Sequence, residues 1–139
     1  DHPGQVLRSF ALGEPTKLYR DLHTVADAAF DAIASVLKAG TTSAEVIEAS
    51  GVIEEAGFTI IDDLLHGYGG GYLPPILGTK SRPAGPVPDD LFRAGQTVVI
   101  QPNVVTRDGV AGVQTGEMVL ITATGTERMH SLLRDFQII

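Results

Sequence analysis

The longest continuous pattern in the chain is an apolar stripe of helical period between Pro15 and Lys38. Its members recur at spacings of mostly three and four, which places them on one helix face. They are Leu18, Leu22, Val25, Ala29, Ile33, Val36 and Leu37. Pro15 suits a first helical turn and Gly40 suits a C-terminal stop. The stripe therefore predicts an amphipathic helix over residues 15–38.

A second helix follows after a short break. Thr42 and Glu45 have the spacing of a capping box, in which each side chain satisfies a free backbone N–H of the first turn. Val46, Ile47, Val52 and Ile53 form its apolar face, and Gly57 is expected to end it.

The remaining apolar segments favour strands. Residues 5–12 and 58–65 contain short apolar runs, and residues 97–105 and 113–122 are rich in β-branched side chains. Turn residues at 106–109 are expected to join the last two strands. Residues 127–133 are expected to form a short helical turn.

Glycine and proline are concentrated between His66 and Asp90, where the chain has six glycines and five prolines. This density predicts a long, shaped loop without regular structure. The order of elements then predicts a single α+β domain over residues 1–139, with helices on one face of an antiparallel sheet.

Charge and composition exclude several classes of protein. A net charge of −7 argues against a general nucleic-acid binder and a polybasic membrane-surface protein. Without cysteine, disulfides and thiolate metal sites are excluded, and a cytoplasmic location is expected. No apolar run approaches the roughly 20 residues that cross a bilayer, so we expect no membrane partner.

Three stretches together resemble the pita-bread metallopeptidases, the family of aminopeptidase P, prolidase and creatinase. LRSFALGEP at 7–15 is similar to the end of a family strand, and LLHGYGGGYLPP at 64–75 is similar to a family loop. RAGQTVVIQPNVVTRDGVAGVQTGEMVLIT at 93–122 is similar to the final pair of strands. The resemblance implies a pita-bread half-domain that corresponds to the C-terminal part of the catalytic domain.

Family peptidases hold two divalent metals through two Asp, one His and two Glu, and the resemblance places four of these positions in the chain. They fall at Gln5, His66, Gln101 and Gly116. Two adjacent cations need several anionic oxygens, and only His66 matches a family ligand. We therefore predict no metal cofactor, and we expect Glu117 to point away from the position of Gly116 because neighbouring strand residues alternate in direction.

The same residues admit other roles. His66 is either a catalytic base or a residual loop histidine, and Gln5 with Gln101 either form a binding pocket or satisfy each other. Tyr68, Tyr72 and Arg107 are candidates for lining a substrate pocket, although packing or surface roles are commoner for such residues. Leu73 replaces a family loop histidine that lies near the scissile bond, and a leucine cannot shuttle a proton. Asp62 and Asp63 are interpreted as solvated turn carboxylates.

Three functions are compatible with this pattern. The first is an Xaa-Pro peptidase-like protein without metal-dependent activity. The second is a metal-free, creatinase-like C–N hydrolase with His66 as base and Gln101 orienting a small amide. The third is a non-catalytic module that binds a peptide or assembles with another subunit. A homodimer is expected, because family members commonly pair and a half-domain leaves apolar surface uncovered.

Overall fold

A computed structural model describes residues 3–139. The helices are α1 (Lys17–Val36), α2 (Ser43–Ala49) and α3 (Val52–Glu55). The first five strands are β1 (Val6–Leu7), β2 (Phe10–Ala11), β3 (Thr59–Ile60), β4 (Leu65–Tyr68) and β5 (Tyr72–Leu77). The others are β6 (Thr97–Ile100), β7 (Val104–Val105), β8 (Gly116–Ile121), β9 (Thr126–Arg128) and β10 (Gln137–Ile138).

The main sheet is antiparallel and has the order β1-β8-β6-β4-β5, with β9 also paired to β8. Two small sheets flank it, β3 with β7 and β10 with β2. The predicted α+β class with helices on one face of an antiparallel sheet is confirmed. Within residues 3–139, none of the helices combines the length and apolar character that crossing a bilayer requires.

One face of the sheet packs on the helices. Val98 and Ile100 of β6, with Val119 of β8, are almost fully buried and form a core with Phe30 and Ile33 of α1. Because directly opposed residues of an antiparallel pair share a face, the register of Val98 with Val119 defines this side. The alternate residues of the same strands therefore point to the opposite face, away from the helices.

The helix predictions agree with the structure at their centres and differ at their ends. Thr42 and Glu45 form the expected capping box. The second predicted helix is interrupted, since α2 ends at Ala49 and α3 begins at Val52, with Gly51 between them. Gly57 closes this region with a positive φ of 85°, a conformation in which a Cβ would be strained.

The predicted loop over residues 66–90 is wrong in its first half, because β4 and β5 form a hairpin there. Gly69, Gly70 and Gly71 make the turn, and two of them adopt positive φ. The prolines of β5 are tolerated because β5 is the last strand of the sheet, where one row of N–H groups needs no partner. The helical turn predicted at 127–133 is also wrong, since β9 pairs with β8.

Several predicted strands are shorter than expected. The segment 5–12 divides into β1 and β2, which join different sheets. Residues 58–65 contribute only β3 before β4 begins, and Gln101-Pro102-Asn103 separates β6 from β7. These breaks bring polar side chains to strand ends, where the candidate site lies.

Gly116 sits at a close approach between β8 and β6. Its φ is 154°, and a Cβ built there would overlap the carbonyl oxygen of Ile100 and lie 2.8 Å from the Cα of Gln101. Backbone atoms cannot swing aside as a flexible side chain can. A residue with a side chain at this position would therefore require the backbone of β6 or β8 to shift.

A buried charge cluster fastens β1, β8 and β9 to the C-terminal segment. The fully buried carboxylate of Glu117 accepts hydrogen bonds from Arg8 and Arg128. Both arginines also donate to the backbone carbonyl of Leu132. Burial by itself raises the pKa of Glu117, but the hydrogen bonds from Arg128 and Arg8 outweigh it and bring the pKa below its ordinary value of 4.5.

Glu117→Gln is expected to lower the free energy of unfolding by about 3 kcal/mol, because it leaves the guanidinium of Arg8 buried without its counter-charge. The natural protein should lose the same stabilisation on acidification. Its depressed pKa gives a contribution that is complete above about pH 4.5 and declines as the pH falls through the folded-state value. Urea unfolding between about pH 7 and about pH 3 measures both effects. Glu127→Gln, at an exposed site on β9, is the control; equal losses in the two variants would contradict the role of the cluster.

Gly116→Ala is expected to destabilise the protein by about 3 kcal/mol through overlap with the β6 backbone. Gly125→Ala is a suitable control, since a Cβ there has nothing within 4 Å. Thermal unfolding of both variants checks this. A Gly116→Ala protein as stable as the control would contradict the close approach.

Candidate functional site

The residues singled out by the sequence lie on the sheet face that points away from the helices. His66 of β4 is directly opposite Val99 of β6, which is opposite Met118 of β8. Gln5 extends this row beyond β8, because its carbonyl accepts the backbone N–H of Met118 at 2.9 Å. Four strands thus bring Gln5 and His66 to one face, although they are far apart in the sequence.

Gln5 and Gln101 meet across β8. The Gln5 Nε2 donates to Gln101 Oε1 at 2.8 Å. Gly116 lies on the strand between them, and the absence of a side chain at this position leaves room for the two amides to touch. Of the two roles considered from the sequence, mutual hydrogen bonding is therefore present in the structure.

Asp63 is a further member of the site that sequence reasoning missed. It is only 6% exposed, and its Oδ1 accepts a hydrogen bond from Gln101 Nε2 at 2.9 Å. The interpretation of Asp62 and Asp63 as two solvated turn carboxylates is thus wrong for Asp63. Asp62 has a φ of 62°, and this left-handed residue accompanies the change of direction before β4. The sequence carries no signal for this turn beyond two adjacent aspartates.

The three side chains form a hydrogen-bond relay with a fixed direction. A carboxylate only accepts hydrogen bonds, so Gln101 must present its NH₂ group to Asp63 and its oxygen to Gln5. Gln5 must in turn donate from its NH₂ group. The relay therefore runs from Gln5 through Gln101 to Asp63, and the amide donors that join its members all point toward the aspartate.

His66 is fully buried and held by its own strand. Its Nδ1 lies 2.9 Å from the carbonyl oxygen of Gly67. A carbonyl only accepts, so Nδ1 carries a proton and donates it to this oxygen. Within residues 3–139, Nε2 has no hydrogen-bond partner.

Tyr72 links His66 to the acidic side of the site. Its ring stacks on the imidazole with centroids 3.8 Å apart and an interplanar angle of 20°. Burial raises the pKa of Tyr72 well above its ordinary value of 10, and the Asp63 carboxylate raises it further, first as a hydrogen-bond acceptor for the phenol and then as a neighbouring negative charge. The phenol thus stays protonated at neutral pH and can donate a hydrogen bond.

The other candidates from the sequence lie outside this group. Tyr68 is tilted beside His66 at 5.8 Å and lines a separate depression with Gly95 and Thr97. Arg107 donates from its Nε to the carbonyl oxygen of Gly57 at 3.1 Å on an exposed turn. Leu73 is 45% exposed on β5. The sequence nominated five residues for a substrate pocket: Gln5, Gln101, Tyr68, Tyr72 and Arg107. The structure brings Gln5, Gln101 and Tyr72 together and leaves the other two outside.

An open cleft of about 510 Å³ covers the relay. Asn103 and Gln114, which sequence reasoning did not select, also line it. The full lining consists of Gln5, Leu7, Asp62, Asp63, Tyr72, Ile76, Ala84, Gln101, Asn103 and Gln114. The volume suits a small organic group or the end of a peptide.

The side chains at the four family ligand positions do not fit a pair of divalent metals. Gln5 and Gln101 bring no charge and are hydrogen-bonded to each other, and Gly116 has no room for a carboxylate. Glu117 lies on the opposite face and is neutralised by Arg8 and Arg128. Across residues 3–139, no group of three His, Asp or Glu side chains converges in a way that could hold a metal ion.

Several solved structures have the same arrangement of helices and strands. X-Pro aminopeptidase from Thermotoga maritima superposes with a TM-score of 0.83 at 20% identity, over 99% of this chain and 38% of that one. Xaa-Pro dipeptidase from Bacillus anthracis gives 0.82 at 22% identity, over 96% and 37% of the two chains. Prolidase from Pyrococcus furiosus gives 0.81 at 22% identity, over 96% and 38%. The likeness shows the pita-bread fold, and the chain spans less than two fifths of each of these proteins.

Sequence comparison gives the family. No curated protein sequence matches the chain significantly. The sequence model of metallopeptidase family M24 matches residues 3–123, which is most of its length. On this match and on its pita-bread fold, the chain belongs to metallopeptidase family M24.

Proposed function

We propose that this protein is an Xaa-Pro peptidase-like member of its family that does not carry out metal-dependent peptide hydrolysis and instead binds a small ligand or peptide in the cleft. The observation that carries the proposal is the relay from Gln5 through Gln101 to Asp63. Amides at the first two positions use their polar atoms on each other rather than on a cation.

Electrostatics support the loss of the metal pair. Two divalent cations a few ångströms apart repel strongly, and neutral amide oxygens offset none of this repulsion. Asp63 is one buried carboxylate and is the acceptor of an amide hydrogen bond. A single carboxylate with one imidazole gives too little negative charge for a two-metal centre.

The main stabilising contacts lie away from the candidate ligand positions. The core between α1 and the sheet and the Glu117 cluster involve neither Gln5, His66 nor Gln101. A protein that has lost its metal ligands can therefore keep the cleft in shape, and the cleft remains available for binding. The homodimer and the cytoplasmic location stay predictions.

Protein purified without chelator and equilibrated with Mn²⁺, Co²⁺ or Zn²⁺ is expected to hold well below one metal per chain. It should also fail to release the first residue from Xaa-Pro peptides. Elemental analysis and a peptide-hydrolysis assay measure these outcomes, with the prolidase from Pyrococcus furiosus as the assay control. Two stoichiometric metals in the natural protein would overturn the proposal.

A gain-of-charge variant sharpens this test. Gln5→Asp combined with Gln101→Glu supplies two carboxylates near His66, so bound metal should rise above that of the natural protein. Gln114→Glu adds a charge at an exposed position of the cleft wall and is the control. An equal rise in both variants would mean that general acidity, rather than the ligand positions, governs metal retention.

A metal-free C–N hydrolase is the second candidate. It is favoured by the His66 Nε2, which has no hydrogen-bond partner among the described residues, and by the buried carboxylate of Asp63, both adjacent to Tyr72. His66 is fully buried beneath the Tyr72 ring, so it would have to be uncovered before it could accept a proton from water.

If this second candidate is correct, small amides and amidines should be hydrolysed in the presence of chelator. His66→Gln should then lower kcat at least about 100-fold, in line with the loss of a general base. His23→Gln, which removes a histidine of α1 that stacks on Phe136 and does not line the cleft, is the control. Absence of turnover over a broad amide panel would eliminate this candidate.

A further inference from the structure

We infer that the cleft binds a ligand through a cationic nitrogen group, a guanidinium or a primary ammonium, at the carboxylate of Asp63. The inference rests on the proposed function, because a tightly bound metal would give the same carboxylate a different partner. It goes beyond that function by naming the ligand chemistry and the residue that selects it.

Asp63 is a buried carboxylate that no cation of the described residues neutralises. Its Oδ1 accepts from Gln101, whereas Oδ2 has no partner at normal hydrogen-bond geometry within residues 3–139, although the Tyr72 hydroxyl faces the same carboxylate as a donor. Asp63 and its neighbour Asp62 are likewise outside the ion pairs formed within residues 3–139. A buried charge without compensation is costly, so a cation at Oδ2 would be bound favourably.

Asn103 adds a second acceptor on the same cleft wall. It is 2% exposed, and its Oδ1 finds no hydrogen-bond partner among the described residues. Both residues line the same cleft, so donors of a ligand that enters it could satisfy these oxygens. Guanidinium and ammonium groups are rich in donors and have no acceptor.

The relay makes the cleft selective for donors. The NH₂ group of Gln5 donates to the side-chain oxygen of Gln101, and the NH₂ group of Gln101 donates to Asp63. The side-chain oxygen of Gln5 is not used in these two bonds. None of the described residues that line the cleft is Lys, Arg or His. An anionic ligand would therefore meet negative charge and oxygen atoms, whereas a cation meets complementary groups.

Tyr72 supplies an aromatic wall beside the carboxylate. One face of its ring stacks on His66, yet the residue is 52% exposed and lines the cleft. Aromatic faces attract ammonium and guanidinium groups through the ring quadrupole. The carboxylate, the asparagine oxygen and the ring together form a site for the charged end of an organic molecule.

The test is a titration of chelator-treated, full-length protein with four probes of similar size: ethylguanidinium, propylammonium, propionamide and propionate. Binding is followed by NMR through the side-chain NH₂ signals of Gln101 and Asn103 and by the dissociation constants. We expect one or both cations to bind, and propionamide and propionate to bind at least about tenfold more weakly. The stronger of the two cations identifies the group that the natural ligand carries.

Two variants locate the binding. Asp63→Asn keeps the size of the side chain and should weaken the cation at least about tenfold, whereas Asp89→Asn removes an exposed carboxylate outside the cleft and should not. Ala84→Arg places a tethered guanidinium at the exposed cleft wall and should compete with the free cation. Ala84→Gln is its neutral control, and thermal unfolding verifies that each variant is folded.

Equal binding of propionamide and the cations, no binding of either cation, or cation binding unchanged in Asp63→Asn would each overturn the inference. These outcomes are distinct from failure of the proposed function, which is read from metal content and peptide hydrolysis. If the protein holds no metal and binds neither cation, the proposed function stands and only the inference about the ligand is overturned.

Discussion

The contact between β8 and β6 at Gly116 governs both the sheet and the cleft. The strands approach so closely here that a Cβ would overlap the backbone of Ile100. The same missing side chain opens the space in which Gln5 and Gln101 join across β8. One glycine thus permits the close approach of the two strands beside the paired amides.

The buried carboxylates on the two faces of the sheet differ in the partners that compensate their charge. On the helix face, Glu117 is compensated by two arginines and anchors the C-terminal segment. On the cleft face, Asp63 receives a single amide hydrogen bond and keeps one oxygen without a partner among residues 3–139. The first arrangement is a structural clamp, since its charges balance inside the protein. In the second, none of the cationic side chains within residues 3–139 forms an ion pair with Asp63.

The family to which the chain belongs and the side chains in its cleft suggest different chemistry. The fold is that of the Xaa-Pro peptidases, with a TM-score of 0.83 to the Thermotoga maritima enzyme. Fold by itself does not carry chemistry, which depends on particular side chains. Gln5 and Gln101 bring neutral amides to the cleft, and they are hydrogen-bonded to each other.

The sequence by itself determined the long helix, the capping box at Thr42, the antiparallel strand pair after residue 97 and the family resemblance, because these depend on local periodicity and short motifs. The sequence prediction was wrong for the β4–β5 hairpin, because the many glycines and prolines of residues 66–90 indicated a loop. An edge strand such as β5 tolerates proline, whereas a central strand would not. The sequence prediction was also wrong for Asp63, whose burial follows from the turn at Asp62 and from contact with Gln101, 38 positions away. Gln5 and Gln101 were identified as site positions from motifs, but only the tertiary structure decided that they bind each other and direct their donors to Asp63. Local patterns fix where helices and strands form, whereas the partners of a buried polar group are chosen by the packing of strands that are distant in sequence.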